Sequence, residues 1–175
     1  INFDKIQEIF GKKTKTKIYT KGSILANPGD STERIYYIVK GLVRYFYFRG
    51  EKNITQNFYG ETKFVVPIES IFNKMPLPYG YEVIEETTLV SFNYPDLMEA
   101  IKLEPELEKL EKHLLYETVR EQSSIARNLR FLSAKERYDL LIEEHPTILK
   151  RANLGFIASY LGISQPTLSV IRGEK

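Results

Sequence analysis

The chain has 175 residues, 42% hydrophobic and 27% charged, with a net charge of +2 and no cysteine. That balance fits a soluble globular protein of one large or two small domains, and it excludes disulfides, thiol nucleophiles and cysteine-ligated metal clusters. No apolar run approaches the ~18 residues that a membrane-spanning helix needs, and no signal-peptide pattern opens the chain, so a cytoplasmic location with no membrane partner is expected.

Ile1 stands where an initiator methionine would, so an N-terminal piece is expected to precede it. From about Lys15 to Asn93 the sequence predicts short strands. "LVRYFYF" alternates, with Leu42, Arg44, Phe46 and Phe48 on one face and Val43, Tyr45 and Tyr47 on the other. "IYYIV" (35–39) and "TTLVSF" (87–92) are rich in β-branched and aromatic residues. Gly22, Gly29, Gly41, Gly50 and Gly60 recur at 7 to 12 residues, the rhythm of an antiparallel sandwich or barrel. The 12 Tyr and 10 Phe lie mostly in this half and read as strand-face packing.

The composition changes at Tyr94. Glycine is absent between Tyr81 and Asn153, and helix formers dominate. Asp96 is placed to cap a short helix that stops near Pro105, and a long helix is predicted from about Pro105 to Phe131. Along it Leu115, Val119, Gln122, Ala126 and Leu129 step by alternating fours and threes, a heptad-like seam for a second copy of the helix. Ser133 and Glu136 form a capping box that opens a third helix.

The end of the chain, "IASYLGISQPTLSVIRGEK", reads as two helices joined by a turn. Gly162 suits a left-handed C-cap, Ser164 a new N-cap and Pro166 a first helical turn. Leu168 and Ile171 turn inward, leaving Gln165, Thr167, Ser169 and Arg172 outside. This is the pattern of a helix-turn-helix, whose second helix reads the major groove of DNA. Over residues 150–175 Lys150, Arg151, Arg172 and Lys175 face one acid, Glu174, a charge bias compatible with phosphate. No enzyme can be read: His113 and His145 are the only histidines, and no nucleophile–base pair or metal-ligand set is legible, so neither metal nor cofactor is expected.

This sequence resembles the Crp/Fnr family of bacterial transcription regulators. "KGSILANPGDSTERIYYIVKGLVRYFY" (21–47) matches the family's β-roll motif at Gly22, Gly29-Asp30, Ile35 to Val39 and Gly41-Leu42-Val43-Arg44. "FLSAKERYDLLIEEHP" (131–146) matches the passage into its DNA-binding domain, and "IASYLGISQPTLSVIR" its helix-turn-helix. The resemblance implies an α+β chain: a double-stranded β-helix, or jelly-roll-like, cyclic-nucleotide-binding-like sensor domain over 1–104, a dimerisation helix over 105–131 and a helix-turn-helix domain over 132–175. It implies a homodimer joined through Leu115, Val119, Gln122, Ala126 and Leu129, and double-stranded DNA read through Ser164, Gln165, Thr167, Ser169 and Arg172. RNA polymerase and a small-molecule effector are the further partners implied, the effector pocket falling near Glu61, Glu69, Tyr79 and Tyr81. Two departures qualify these expectations. Where the family's cyclic-AMP binders carry Arg-Ser to hold the phosphate, this chain reads "PYGYEV", so cyclic AMP is not expected to bind. The reading helix also has Ser164-Gln165-Pro166-Thr167 where the family pattern is Ser-Arg-Glu-Thr, which predicts a different operator or a signalling module that has given up DNA.

Overall fold

Alternating apolar residues, broken by turn glycines, fold the first half of the chain into two facing sheets. The computed structural model describes residues 11–173. Its strands are β1 (Lys15–Tyr19), β2 (Ile24–Ala26), β3 (Arg34–Lys40), β4 (Val43–Arg49), β5 (Lys52–Tyr59), β6 (Phe64–Val65), β7 (Gly80–Val83) and β8 (Thr87–Asn93). One sheet runs β1-β8-β3-β6 and the other β2-β7-β4-β5, with every pairing antiparallel. Successive strands pass from one sheet to the other as a roll, except at the β4–β5 hairpin, which stays within one sheet. The antiparallel two-sheet arrangement is the one the glycine rhythm predicts. At Gly41, between β3 and β4, φ is +111° and an added Cβ would lie 2.2 Å from Thr87 Oγ1, so only glycine fits there.

Strands β3, β4 and β8 are buried on both faces, which explains their near-continuous apolar runs. Tyr36, Ile38, Val43, Tyr45 and Leu89 face the interior of the roll. From the other face of the β3–β8 sheet, Ile35, Tyr37, Val90 and Phe92 pack on Leu97, Leu110 and Leu114 of the helices that follow.

Those helices are α1 (Ile68–Phe72), α2 (Tyr94–Leu103), α3 (Glu108–Phe131), α4 (Ala134–Glu144), α5 (Ile148–Arg151), α6 (Leu154–Leu161) and α7 (Gln165–Gly173). Two expected boundaries shift. α2 begins two residues before Asp96, with Asn93 as N-cap and Pro95 in the first turn. Proline's fixed φ favours that earlier start, and Asp96 instead lies in the first turn, 3.4 Å from Lys13. The long helix proper starts at Glu108, because Pro105–Leu107 form a separate 3-10 turn. The capping box stands as predicted: Ser133 Oγ accepts from the Glu136 amide (3.2 Å) and Glu136 Oε2 from the Ser133 amide (2.7 Å).

A third apolar cluster crosses between the two halves, joining Leu42, Phe58 and Ile84 of the roll to Tyr138, Leu141, Ile157 and Leu161 of the C-terminal helices. The Thr55 amide of β5 donates to Ser159 Oγ of α6 at 2.9 Å. Arg44, 2% exposed, lies 3.8 Å from the Phe156 ring centre and 2.7 Å, through Nε, from Glu82 Oε2. Arg151 of α5 reaches back to Glu61 (2.7 Å) and Glu85 (2.6 Å). No single helix among the described residues is long and apolar enough to cross a membrane.

Candidate functional site

Strand register builds a hollow inside the roll. Tyr45 of β4 lies directly opposite Tyr81 of β7, and Val43, its neighbour on the same face, lies opposite Tyr59 of β5. The period of two puts Tyr45, Tyr59, Tyr79 and Tyr81 on the inner face together. Their rings interlock edge-on or tilted, with centroids 4.5 Å apart for Tyr45–Tyr79, 5.4 Å for Tyr79–Tyr81 and 5.6 Å for Tyr45–Tyr81. Beside them is a hollow of 160 Å³, walled also by Glu69 of α1 and closed on the far side by Thr118, Glu121 and Gln122 of α3. The Tyr79 hydroxyl donates to Glu69, and that of Tyr81 donates to the Val66 carbonyl at 3.2 Å.

The electrostatics of this hollow are those of neutral phenols beside carboxylates. Burial, then the Glu69 charge, pushes the Tyr45 hydroxyl well above the ordinary phenol range, and burial does the same for Tyr59 and Tyr81. Burial also raises the Glu121 carboxyl, against the pull of Lys63 at 3.4 Å. No arginine or histidine lines the walls.

Of the four pocket residues expected from sequence, Glu69, Tyr79 and Tyr81 come together here. Glu61 does not join them. It sits at the junction with α5, where its Oε1 accepts from the Gly41 amide at 3.0 Å and it pairs with Arg151. Burial opposes its charge, but Arg151 and the Gly41 amide outweigh that and hold its carboxyl below the usual range. Tyr45 and Tyr59 were not singled out in the sequence, since their meeting depends on the pairing of β4 with β5 and β7. Their inward period within "LVRYFYF" was the available signal for Tyr45.

The terminal helix pair meets at 90° across Gly162, whose φ of +67° is left-handed. Ser164 Oγ accepts from the Thr167 amide at 3.2 Å and lies 2.8 Å from its hydroxyl, anchoring the start of α7. Leu168 and Ile171 are buried, whereas Gln165, Thr167, Ser169 and Arg172 are exposed. Gln165, Ser169 and Arg172, spaced by four and three, form one row; Thr167 lies on the opposite flank. Gln165 also borders a cleft of 960 Å³ between the β4–β5 hairpin, the end of α3 and the α6–α7 turn.

Helix α3 uses one face for the roll, through Leu110, Leu114, Glu121 and Ile125, all at least half-buried. The sequence-predicted seam lies on the adjacent face, with Gln122 also bordering the hollow. Leu115 is half-buried, Gln122 and Ala126 are exposed, and Val119 and Leu129 are 63% and 57% exposed. Among the described residues that row has no partner helix.

The geometry is that of a β-roll with a tyrosine-lined hollow, flanked by a long helix and followed by a compact helical unit. Residues 16–104 match the cyclic nucleotide-binding domain model, and the chain belongs to that family. Among solved structures it is similar to FixK2 from Bradyrhizobium japonicum (16% identity, 92% of this chain and 83% of that one, TM-score 0.79). It is similar also to CLP, the c-di-GMP-responsive global regulator of Xanthomonas campestris (14%, 98% and 90%, TM-score 0.77). A CooA mutant from Carboxydothermus hydrogenoformans aligns with 99% of this chain and 84% of its own (16%, TM-score 0.74). At these identities the likeness is one of fold. No curated protein matches the chain.

Proposed function

We propose that this chain is a non-catalytic transcription regulator of the Crp/Fnr type: a homodimer, cytoplasmic, that reads a pseudo-palindromic operator and is governed by a small effector in its β-roll. The observation that carries the reading is the exposed row Gln165–Ser169–Arg172 on a helix held at 90° to its partner by a glycine turn. A helix so placed can enter a major groove, with Gln165 suited to a paired contact with adenine and Arg172 to guanine or phosphate. The first amides of α7 would meet a phosphate, as helix N-termini do. Two such helices in a dimer would fall about 34 Å apart, one DNA turn. Recruitment of RNA polymerase belongs to this reading. Cyclic AMP does not, because a buried phosphate would meet Glu69, Glu121 and phenols with no arginine among the walls.

The test is a gel-shift series across operator variants selected from a random pool. Gln165→Ala should relax preference at one base pair per half-site, a loss of about 1–3 kcal/mol in discrimination. Arg172→Ala should do the same, or weaken all sequences alike if it meets phosphate. If both variants bind as the parent does, α7 is not the reader.

A signalling module without DNA is the second reading. What favours it is the C-terminal unit's shared core with the roll and the position of Gln165 on the 960 Å³ cleft. Salt-independent, sequence-indifferent behaviour towards duplex DNA would select it.

A further inference from the structure

We propose that the hollow in the roll is a site for a small organic ammonium ion, which is the chemical class of this chain's effector. The inference rests on the reading of the roll as a sensing domain but not on DNA binding. It starts from charge. The carboxyl groups of Glu69 and Glu121 border the hollow, no Lys, Arg or His lines it, and Lys63 beside it is engaged with Glu117 and Glu121, both at 3.4 Å. An anion entering here would lose its hydration and find no free cation on the walls, with Glu69, bonded only to a phenol, repelling it.

The walls fit a cation for a second reason. Tyrosine faces carry the negative lobe of the ring quadrupole, and several of them around one hollow form the kind of cage that holds ammonium groups. Tyr45, Tyr59, Tyr79 and Tyr81 together line this one, their rings packed edge-on or tilted against one another.

A third observation is independent of both. Tyr45 is only 7% exposed, it lines the hollow, and its hydroxyl has no hydrogen-bond partner among the described residues. The oxygen is not sealed into the core, since the one buried side-chain polar atom without a partner among the described residues is Arg137 Nε, so it stands open to a ligand in the hollow. An ammonium N–H would donate to that oxygen and to Glu69, which already accepts from Tyr79 and keeps further lone pairs.

Size narrows the class. A volume of 160 Å³ is the liquid share of about five waters, well below a drug-sized pocket. A short alkylammonium fits that room, with its carbon tail against Phe64 and Val66.

The probe is propylammonium, titrated into the full chain and followed by NMR at the Tyr45 and Tyr81 amides, with 1-propanol and propionate as neutral and anionic counterparts. Propylammonium should bind at least about tenfold more tightly than propanol, and propionate should not bind. Glu69→Gln should weaken the cation about tenfold and leave propanol unaffected. Because Glu69 also holds Tyr79, Tyr45→Phe serves as the second variant. It removes a hydroxyl with no partner, so the melting temperature should hold while propylammonium affinity falls severalfold. Equal binding of propanol and propylammonium, or no binding of the cation, would overturn the proposal. A gel shift on the same samples separates the two readings: cation binding without DNA binding leaves this site standing and removes only the operator.

Discussion

Arg44 shows how far one residue can depart from its pattern. The alternation of "LVRYFYF" holds, and the face that carries Arg44 is buried against the C-terminal unit at that residue. Its Nη1 donates to Asn53 Oδ1 at 2.7 Å and to Thr55 Oγ1 at 3.1 Å, its Nη2 lies 2.5 Å from Glu82, and Phe46 and Phe156 stack near its plane. Burial lowers the guanidinium's proton affinity and Glu82 works against it, and the cost of holding this charge in the interior is offset by partners on every side. Arg44→Met should cost about 3–5 kcal/mol, since it strands a largely buried Glu82. Urea denaturation measures that loss. The double variant Arg44→Met/Glu82→Met should recover most of it, and additive losses would show that the pair is not the cause.

At the scale of elements, what was legible depended on whether the signal was local. The capping box at Ser133 and Glu136 and the Gly162 turn were readable because each is settled within a few residues. The start of α2 departs from the Asp96 cap that the sequence predicts, because Pro95 fixes the backbone before the better capping side chain is reached. The cage could be read only in part. Glu69, Tyr79 and Tyr81 lie close in sequence, whereas Tyr45 joins them through a strand register that includes a bulge between Tyr45 and Phe46. The α3 seam is the reverse case: a periodicity plain in sequence, on a face that the fold of one chain leaves uncovered. Val119 and Leu129 there should lie against a second copy, and Val119→Glu/Leu129→Glu should give monomers by light scattering while the melting temperature of the roll is kept. A monomeric parent at micromolar concentration would remove the seam as an interface.

Across the whole molecule, the two halves meet through titratable groups. His145, at the end of α4, has its ring 3.9 Å from where a Cβ on Gly60 would stand. Burial first, then the charges of Arg151 and Lys63, holds its imidazole below the ordinary value, with Glu61 opposing them. A lowered folded value means that the unfolded chain takes up the proton more readily. Stability from His145 is therefore complete above about pH 6.5 and is lost as pH falls from there through the folded value. His145→Gln should flatten the dependence of the urea midpoint on pH below about 6.5, and an unchanged slope would refute the assignment. Glu61 acts lower on the scale. Its depressed carboxyl keeps its contribution above the ordinary carboxylate range and gives it up in stronger acid.

The bond from the Thr55 amide to Ser159 has a kinetic side. β5 is the outer strand of its sheet, and an outer strand normally offers its free amides to water or to a neighbouring chain. Here a helix hydroxyl occupies one of them, so that single hydrogen exchanges with solvent only when α6 lifts away from the roll. Its exchange rate thus reads how often the C-terminal unit comes free, residue by residue and with no ligand or DNA present. If the proposed ammonium site governs that release, propylammonium should change the protection of Thr55 while leaving amides deep in β3 and β8 as they were. The same opening uncovers a strand edge, so the liberated state is also the one in which two copies can pair strand to strand, and prolonged release should end in aggregation.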